Sequence, residues 1–113
     1  MEKLTLSITP ISTNKLYIGK KILTDEARKN KRAMAYEASQ QFHRRLFDKP
    51  VGVNLHFFYP DRRCNDIDNK KALYDALTNV VWVDDRLVDE EHVFRHYGFP
   101  ERRVELEIYE LQT

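Results

Sequence analysis

Aspartates recur in this chain at spacings that suit metal chemistry. Asp66 and Asp68 stand two residues apart. In an extended segment two such carboxylates point the same way, and hard divalent cations take oxygen ligands. The competing use is helix capping, because Asp is a favoured N-cap and the helix dipole stabilises negative charge there. A second pair, Asp84-Asp85, directly follows Val80-Val81-Trp82-Val83, the stretch that carries the only tryptophan. Acids placed there sit at the edge of a core. Carboxylates that converge repel and shift one another's pKa. Divalent metal relieves that repulsion, and two ions about 3.5–4 Å apart can orient a water and stabilise the leaving oxygen of a phosphodiester. Lys70 and Lys71 follow Asp68 closely. A lysine beside metal ligands could contact a scissile phosphate, although a solvated lysine is the simpler reading, above all for Lys70. Arg62 and Arg63 could hold flanking phosphates or simply face solvent.

The elements that must place these residues can be read from periodicity. Leu4, Leu6 and Ile8 alternate with polar residues as a half-buried strand that Pro10 ends. Residues 11–23 read as irregular, with a short strand near Leu16–Ile18. Thr24 caps a helix favoured by Asp25 and Glu26. Its apolar face, Ala27, Met34, Ala35, Ala38, Phe42 and Leu46, predicts an extent to about Phe47. Lys49-Pro50 stops it. Val51, Val53, Leu55, Phe57 and Tyr59 alternate as a strand, and Phe58 on the other face implies cover on both sides. A second helix is expected from near Asp68 to near Thr78, with Ala72, Leu73, Ala76 and Leu77 inward. Val80–Val83 reads as a short buried stretch. Strands near His92–Tyr97 and over Val104–Ile108 flank a turn at Gly98–Glu101. The order β-α-β-α-β-β predicts a single α+β domain over residues 1–113, a mixed sheet with two helices.

For the two aspartate pairs to meet, the chain must double back after the second helix. Charge adds to this picture. The balance of 19 Lys+Arg against 18 Asp+Glu says little globally, but the distribution is uneven. Arg28, Lys29, Lys31, Arg32, Arg44, Arg45 and Lys49 cluster in one region, and Asp84, Asp85, Asp89, Glu90 and Glu91 in another. Each run alone reads as a solvated face. Together they suit an enzyme that holds a polyanion and cuts it with metal ions.

Other chemistries are excluded. One cysteine, Cys64, rules out an intrachain disulfide framework and has no recognisable catalytic partner. A reducing, cytoplasmic setting follows as the default. No Gly-rich phosphate loop is present, so no nucleotide cofactor is expected. The apolar runs are too short to span a membrane, and no signal peptide is visible. His92 and His96 stand four apart, but the segment reads as strand and lacks the His-Glu-x-x-His glutamate, so they read as surface histidines and not a zinc pair. His43 and His56 show no partner. The aromatics read as core or dimer interface first, with Tyr59 and Phe99 kept as candidate contacts to such a polyanion.

Four segments carry a resemblance. Tyr-Pro-Asp-Arg-Arg (59–63), Asp-Ile-Asp-Asn (66–69), Lys-Ala-Leu-Tyr-Asp-Ala-Leu (71–77) and Val-Val-Trp-Val-Asp-Asp-Arg-Leu-Val (80–88) together resemble the RusA family of Holliday-junction resolvases, often carried by prophages. Pro10–Lys15 is similar to the family's N-terminal segment, and the C-terminal strands fit in pattern. The resemblance implies a homodimeric, Mg²⁺-dependent endodeoxyribonuclease, with Mn²⁺ as the alternative ion, that nicks four-way DNA junctions symmetrically. It implies Asp66, Asp68 and Asp85 as catalytic metal ligands, Lys71 as the catalytic lysine, and supporting roles for Asp75 and Asp84. Arg62, Arg63 and Lys70 are the expected DNA contacts. The interval from Asn69 to Asp75 is one residue shorter than the family pattern. Lys71 therefore fits when counted back from Asp75, Ala72 falls there when counted forward from Asp68, and Lys70 is the substitute. Cys64 and Asn65 stand where relatives often carry arginine. A C₂ dimer would supply the two symmetric sites that paired nicks need. A non-cleaving DNA-binding module and a broader nuclease of forks or phage replication intermediates are the alternatives.

Overall fold

Leu4, Leu6, Val53, Leu55, Phe57, Val104, Leu106 and Ile108 are all buried, and the residues between them in sequence are mostly not. That period of two puts one face of a sheet against a core. The computed structural model describes residues 1–11, 17–18, 22–63 and 69–111. Its main strands are β1 (Glu2–Leu6), β4 (Val51–Tyr59), β5 (Val88–Tyr97) and β6 (Arg103–Glu110), and a small hairpin pairs β2 (Tyr17–Ile18) with β3 (Ile22–Leu23). The helices are α1 (Asp25–Ser39) and α2 (Lys70–Leu77). The main sheet runs β1-β6-β4-β5. Only the β4–β5 pairing is parallel, and α2 lies in the crossover between those strands. The result is a single α+β domain with a mixed sheet and two helices. Met34 and Ala38 of α1 and Leu73, Ala76 and Leu77 of α2 close the core over the inner face.

α1 starts as its sequence dictates, with the Thr24 hydroxyl accepting from Ala27 N–H at 3.0 Å. It ends at Ser39, eight residues before Phe47. Tertiary contacts replace the expected last two turns. The Gln41 side chain accepts from Thr5 N–H at 2.8 Å and donates to Thr5 C=O at 2.7 Å. Phe47 then joins the segment after α2, donating its N–H to Val81 C=O at 2.9 Å and accepting from Val83 N–H at 3.0 Å. Phe42 and Phe47 are buried in that path, so apolar spacing that looks helical here serves a non-helical one.

Two polar residues on one side of α1, with Gln41 just past its end, hold β1 and the segment after it. Glu37 accepts from Ser7 Oγ at 2.6 Å and Ile8 N–H at 2.9 Å. Asn30 accepts from Ile11 N–H at 3.1 Å and donates to Thr9 C=O at 2.7 Å. Asn30 and Glu37 stand seven residues apart, which places them on one helix face at about 100° per residue. With Gln41 they bond backbone groups along and beyond the edge strand β1, which blunts that edge.

β5 begins at Val88, four residues before the expected start, and forms the opposite sheet edge. On the outer face His56 Nδ1 lies 2.8 Å from His96 Nε2, and His96 stacks on Phe58 with centroids 4.7 Å apart. The Arg103 guanidinium covers Phe58 at 3.8 Å. These contacts supply the cover that Phe58 needs. They also give His56 and His96 to each other, so His96 is a packed, half-buried residue and His92, bonded to Glu90 at 2.8 Å, is the surface one.

Candidate active site

The N-terminus of α2 is capped by Asn69. Its Oδ1 accepts from Ala72 N–H at 3.2 Å, and its Nδ2 donates to Ile11 C=O at 3.1 Å. Asn69 is buried, so both halves of its amide are satisfied where an unpaired one would be costly. A helix has one N-cap position. Capping therefore does not account for Asp66 and Asp68, which precede Asn69. Both aspartates lie outside the described residues, as do Cys64 and Asn65.

The chain does double back after α2. Thr78 N–H bonds Tyr74 C=O at 3.1 Å, and Asn79 takes a left-handed φ of 68°. Asn tolerates that region better than most residues. Asn79 N–H then donates to Trp82 C=O at 2.7 Å and closes the reversal. Val81 and Trp82 are buried as expected, whereas Val83 is 46% exposed. Tyr74 packs edge-on against Trp82, with ring centroids 5.5 Å apart. This anchor fixes where the next residues emerge.

They emerge beside α2. Asp84 caps a 3₁₀ turn over Asp85–Leu87 and accepts from Arg86 N–H at 2.9 Å. The Arg86 guanidinium also donates to Asp84 Oδ2 at 3.0 Å. The Arg86 side chain, with its backbone N–H, holds Asp84 below the usual carboxylate range. Asp85 turns the other way. Partial burial pushes its carboxyl up, and a side-chain hydrogen bond with Asp75 and the charges of Asp75 and Asp84 add to the rise. The two members of the Asp84-Asp85 pair thus differ: one is committed to a cap and an arginine, the other faces the Asp75 carboxyl.

Among the described residues no group of three or more His, Cys, Asp and Glu side chains is arranged to hold a metal ion. The Asp75–Asp85 pair nevertheless fits a hard divalent cation in donor chemistry. It offers carboxylate oxygens only, and its mutual repulsion is what such a cation relieves. Sequence reasoning gave Asp75 a supporting role. That role came from the resemblance, and the reversal after α2 brings Asp75 into contact with Asp85.

The basic candidates fall into different settings. Lys70 Nζ is 3.4 Å from Glu91 Oε2, and Glu91 also accepts the Tyr74 hydroxyl. Lys71 is exposed, on the Asp75 face of α2. Arg62 lies over the Tyr97 ring at 4.5 Å. Arg63 donates its N–H to Asp61 at 2.8 Å and pairs with it through the guanidinium at 3.3 Å. Tyr59 is fully buried in the core, which removes it as a DNA contact. A cleft of about 490 Å³ opens between α1 and α2, with Arg28, Lys31 and Arg32 on one wall and Asp75 on the other.

No helix among the described residues is long and apolar enough to cross a membrane. No curated protein matches the chain. Residues 8–109 match the family model described as endodeoxyribonuclease RusA. That span takes in β2 to β5, all of β6 but its last residue, both helices and every aspartate discussed above, so the chain belongs to the RusA endodeoxyribonuclease family and, by that membership, is a nuclease.

Proposed function

We propose that this protein is a Mg²⁺-dependent endonuclease that resolves four-way DNA junctions by paired nicks. The observation that carries the reading is the meeting of Asp85 with Asp75 beside α2, in a chain of the RusA family. Two carboxyls pressed together at a partly exposed position destabilise each other unless something positive joins them. In this reading Asp85, with Asp66 and Asp68, binds the cation, and Asp75 supports Asp85 from α2. Bound there, the cation supplies an activated water and neutralises phosphate charge. Lys71, one turn before Asp75 on the same face of α2, is the lysine this reading assigns to the phosphate. Asp84 stays with Arg86 and fixes the turn that aims Asp85. Two copies related by a two-fold axis would present two such sites to a junction of matching symmetry.

A labelled synthetic junction tests this with wild type, Asp68→Asn and Asp85→Asn. Paired nicking that requires Mg²⁺, lost in both variants while binding persists, is the expected result. Binding without cutting by the wild type would replace the proposal with a non-cleaving module. Equal cutting of forks and junctions would replace it with a broader branched-DNA nuclease.

A further inference from the structure

We infer that the cleft between α1 and α2 is the seat of the DNA backbone flanking the cut, held by Lys31 and Arg32 with Arg28 beside them. The inference rests on the endonuclease reading and adds a binding surface to it. One side of α1 is spent on structure, with Asn30 and Glu37 bonded to the segment after β1. At about 100° per residue, Arg28, Lys31, Arg32 and Ala35 fall on roughly the opposite side. They form one wall of the cleft of about 490 Å³, and the other wall carries Asp75, which meets Asp85. A ligand lying in this cleft is therefore led directly to the carboxylates.

The state of the cations says what ligand fits. Arg28 pairs with Asp25 at 2.8 Å and keeps 49% of its side chain exposed. Lys31 and Arg32 are exposed and have no ion-pair partner among the described residues. By contrast, Arg63 is paired with Asp61 and Lys70 with Glu91. Two adjacent unpaired cations on a rigid helix, plus a third one turn away, suit an anion with repeated charges. A phosphodiester backbone is such an anion, and Arg and Lys hold it without reading its sequence. The small alanine at position 35 keeps that wall low, so a backbone can approach the helix.

The test measures binding and needs no metal or cleavage. A fluorescent four-way junction is titrated in EDTA across a series of KCl concentrations. The proteins are wild type, Lys31→Gln/Arg32→Gln, a Lys31→Arg variant, and Lys3→Gln/Lys29→Gln, which removes the same charge outside the cleft. The expected result for the cleft variant is a loss of about 10- to 100-fold in affinity at low salt. Its slope of log affinity against log salt should shrink by about 2, about 1 per phosphate contact. Lys31→Arg and the outside variant should keep the wild-type slope. Thermal melting checks that each variant is folded, and these exposed positions carry no packing. If wild type binds and both double variants lose affinity equally, net charge alone matters and the cleft assignment is overturned. It is likewise overturned if the cleft variant binds as wild type does. If wild type does not bind the junction at all, the endonuclease reading falls, and the cleft assignment with it.

Discussion

Asp85 is held above the usual carboxylate range by partial burial first, then by Asp75 and by Asp84. A carboxyl whose pKa is higher folded than unfolded stabilises the fold when protonated and opposes it when charged. The opposition from Asp85 therefore grows as pH rises from its unfolded value through its folded one, and is complete above that. Glu37 works in the other direction. Burial alone would raise it, but hydrogen bonds from Ile8 N–H, the Ser7 hydroxyl and Ser7 N–H outweigh burial and leave it lowered. Its contribution is present above the unfolded value and lost as pH falls through the folded one. Comparing wild type with Asp85→Asn isolates the first effect. Without metal, the variant should be more stable by about 0.5 kcal/mol at neutral pH, the scale of a solvent-screened pair, and the gain should vanish in acid. Mg²⁺ should raise the melting temperature of wild type at neutral pH, progressively less as pH falls through the carboxylate range, and leave Asp85→Asn nearly unmoved. A Mg²⁺ response that is the same at every pH, or the same in the variant, would separate the ion from this carboxyl pair.

At the scale of elements, Asn69 ties the start of α2 to the chain after β1. Asn69→Ala removes the cap and leaves Ile11 C=O without its donor, and should destabilise by about 1–2 kcal/mol in chemical denaturation. Asn69→Ser keeps an acceptor for Ala72 N–H and loses the amide donor to Ile11, so it should fall between. Equal losses in both variants would mean that the cap contributes nothing beyond the Ile11 bond. Local signals of this kind were legible in sequence. The strand alternation of β1, β4 and β6, the Thr24 cap of α1 and the buried Trp82 all follow from side-chain type and period. What was not legible depended on contacts distant in the chain. Gln41 and Phe47 have helix-compatible spacing, yet Thr5 and the Val81–Val83 segment draw them out of the helix. The division of labour within Asp84-Asp85 depends on Arg86, and the role of Asp75 on a reversal whose direction a left-handed Asn79 fixes. His56 and His96 were isolated in sequence because their partnership is a matter of parallel register between β4 and β5.

At the scale of the whole molecule, charge and chemistry are segregated by layer. The helical side carries the basic wall of the cleft and the Asp75–Asp85 pair. The outer sheet face carries a stack of His56, His96, Phe94 and Phe58. Among the described residues a protomer presents one candidate site, on one side, so it can place one cut on one strand. Resolution of a four-way junction needs two, on strands related by two-fold symmetry. If the active unit is a C₂ dimer, each nick depends on its own protomer's carboxylates, while junction binding depends on both protomers together. Wild type mixed and re-equilibrated with an excess of Asp85→Asn should then form mixed dimers that bind as well as either parent. Such dimers should release singly nicked junctions, with resolved duplexes falling as the square of the wild-type fraction. A protomer that cuts twice by rebinding would instead lose both products in proportion to that fraction, and a linear titration would remove the dimer from the mechanism while leaving the carboxylate site intact.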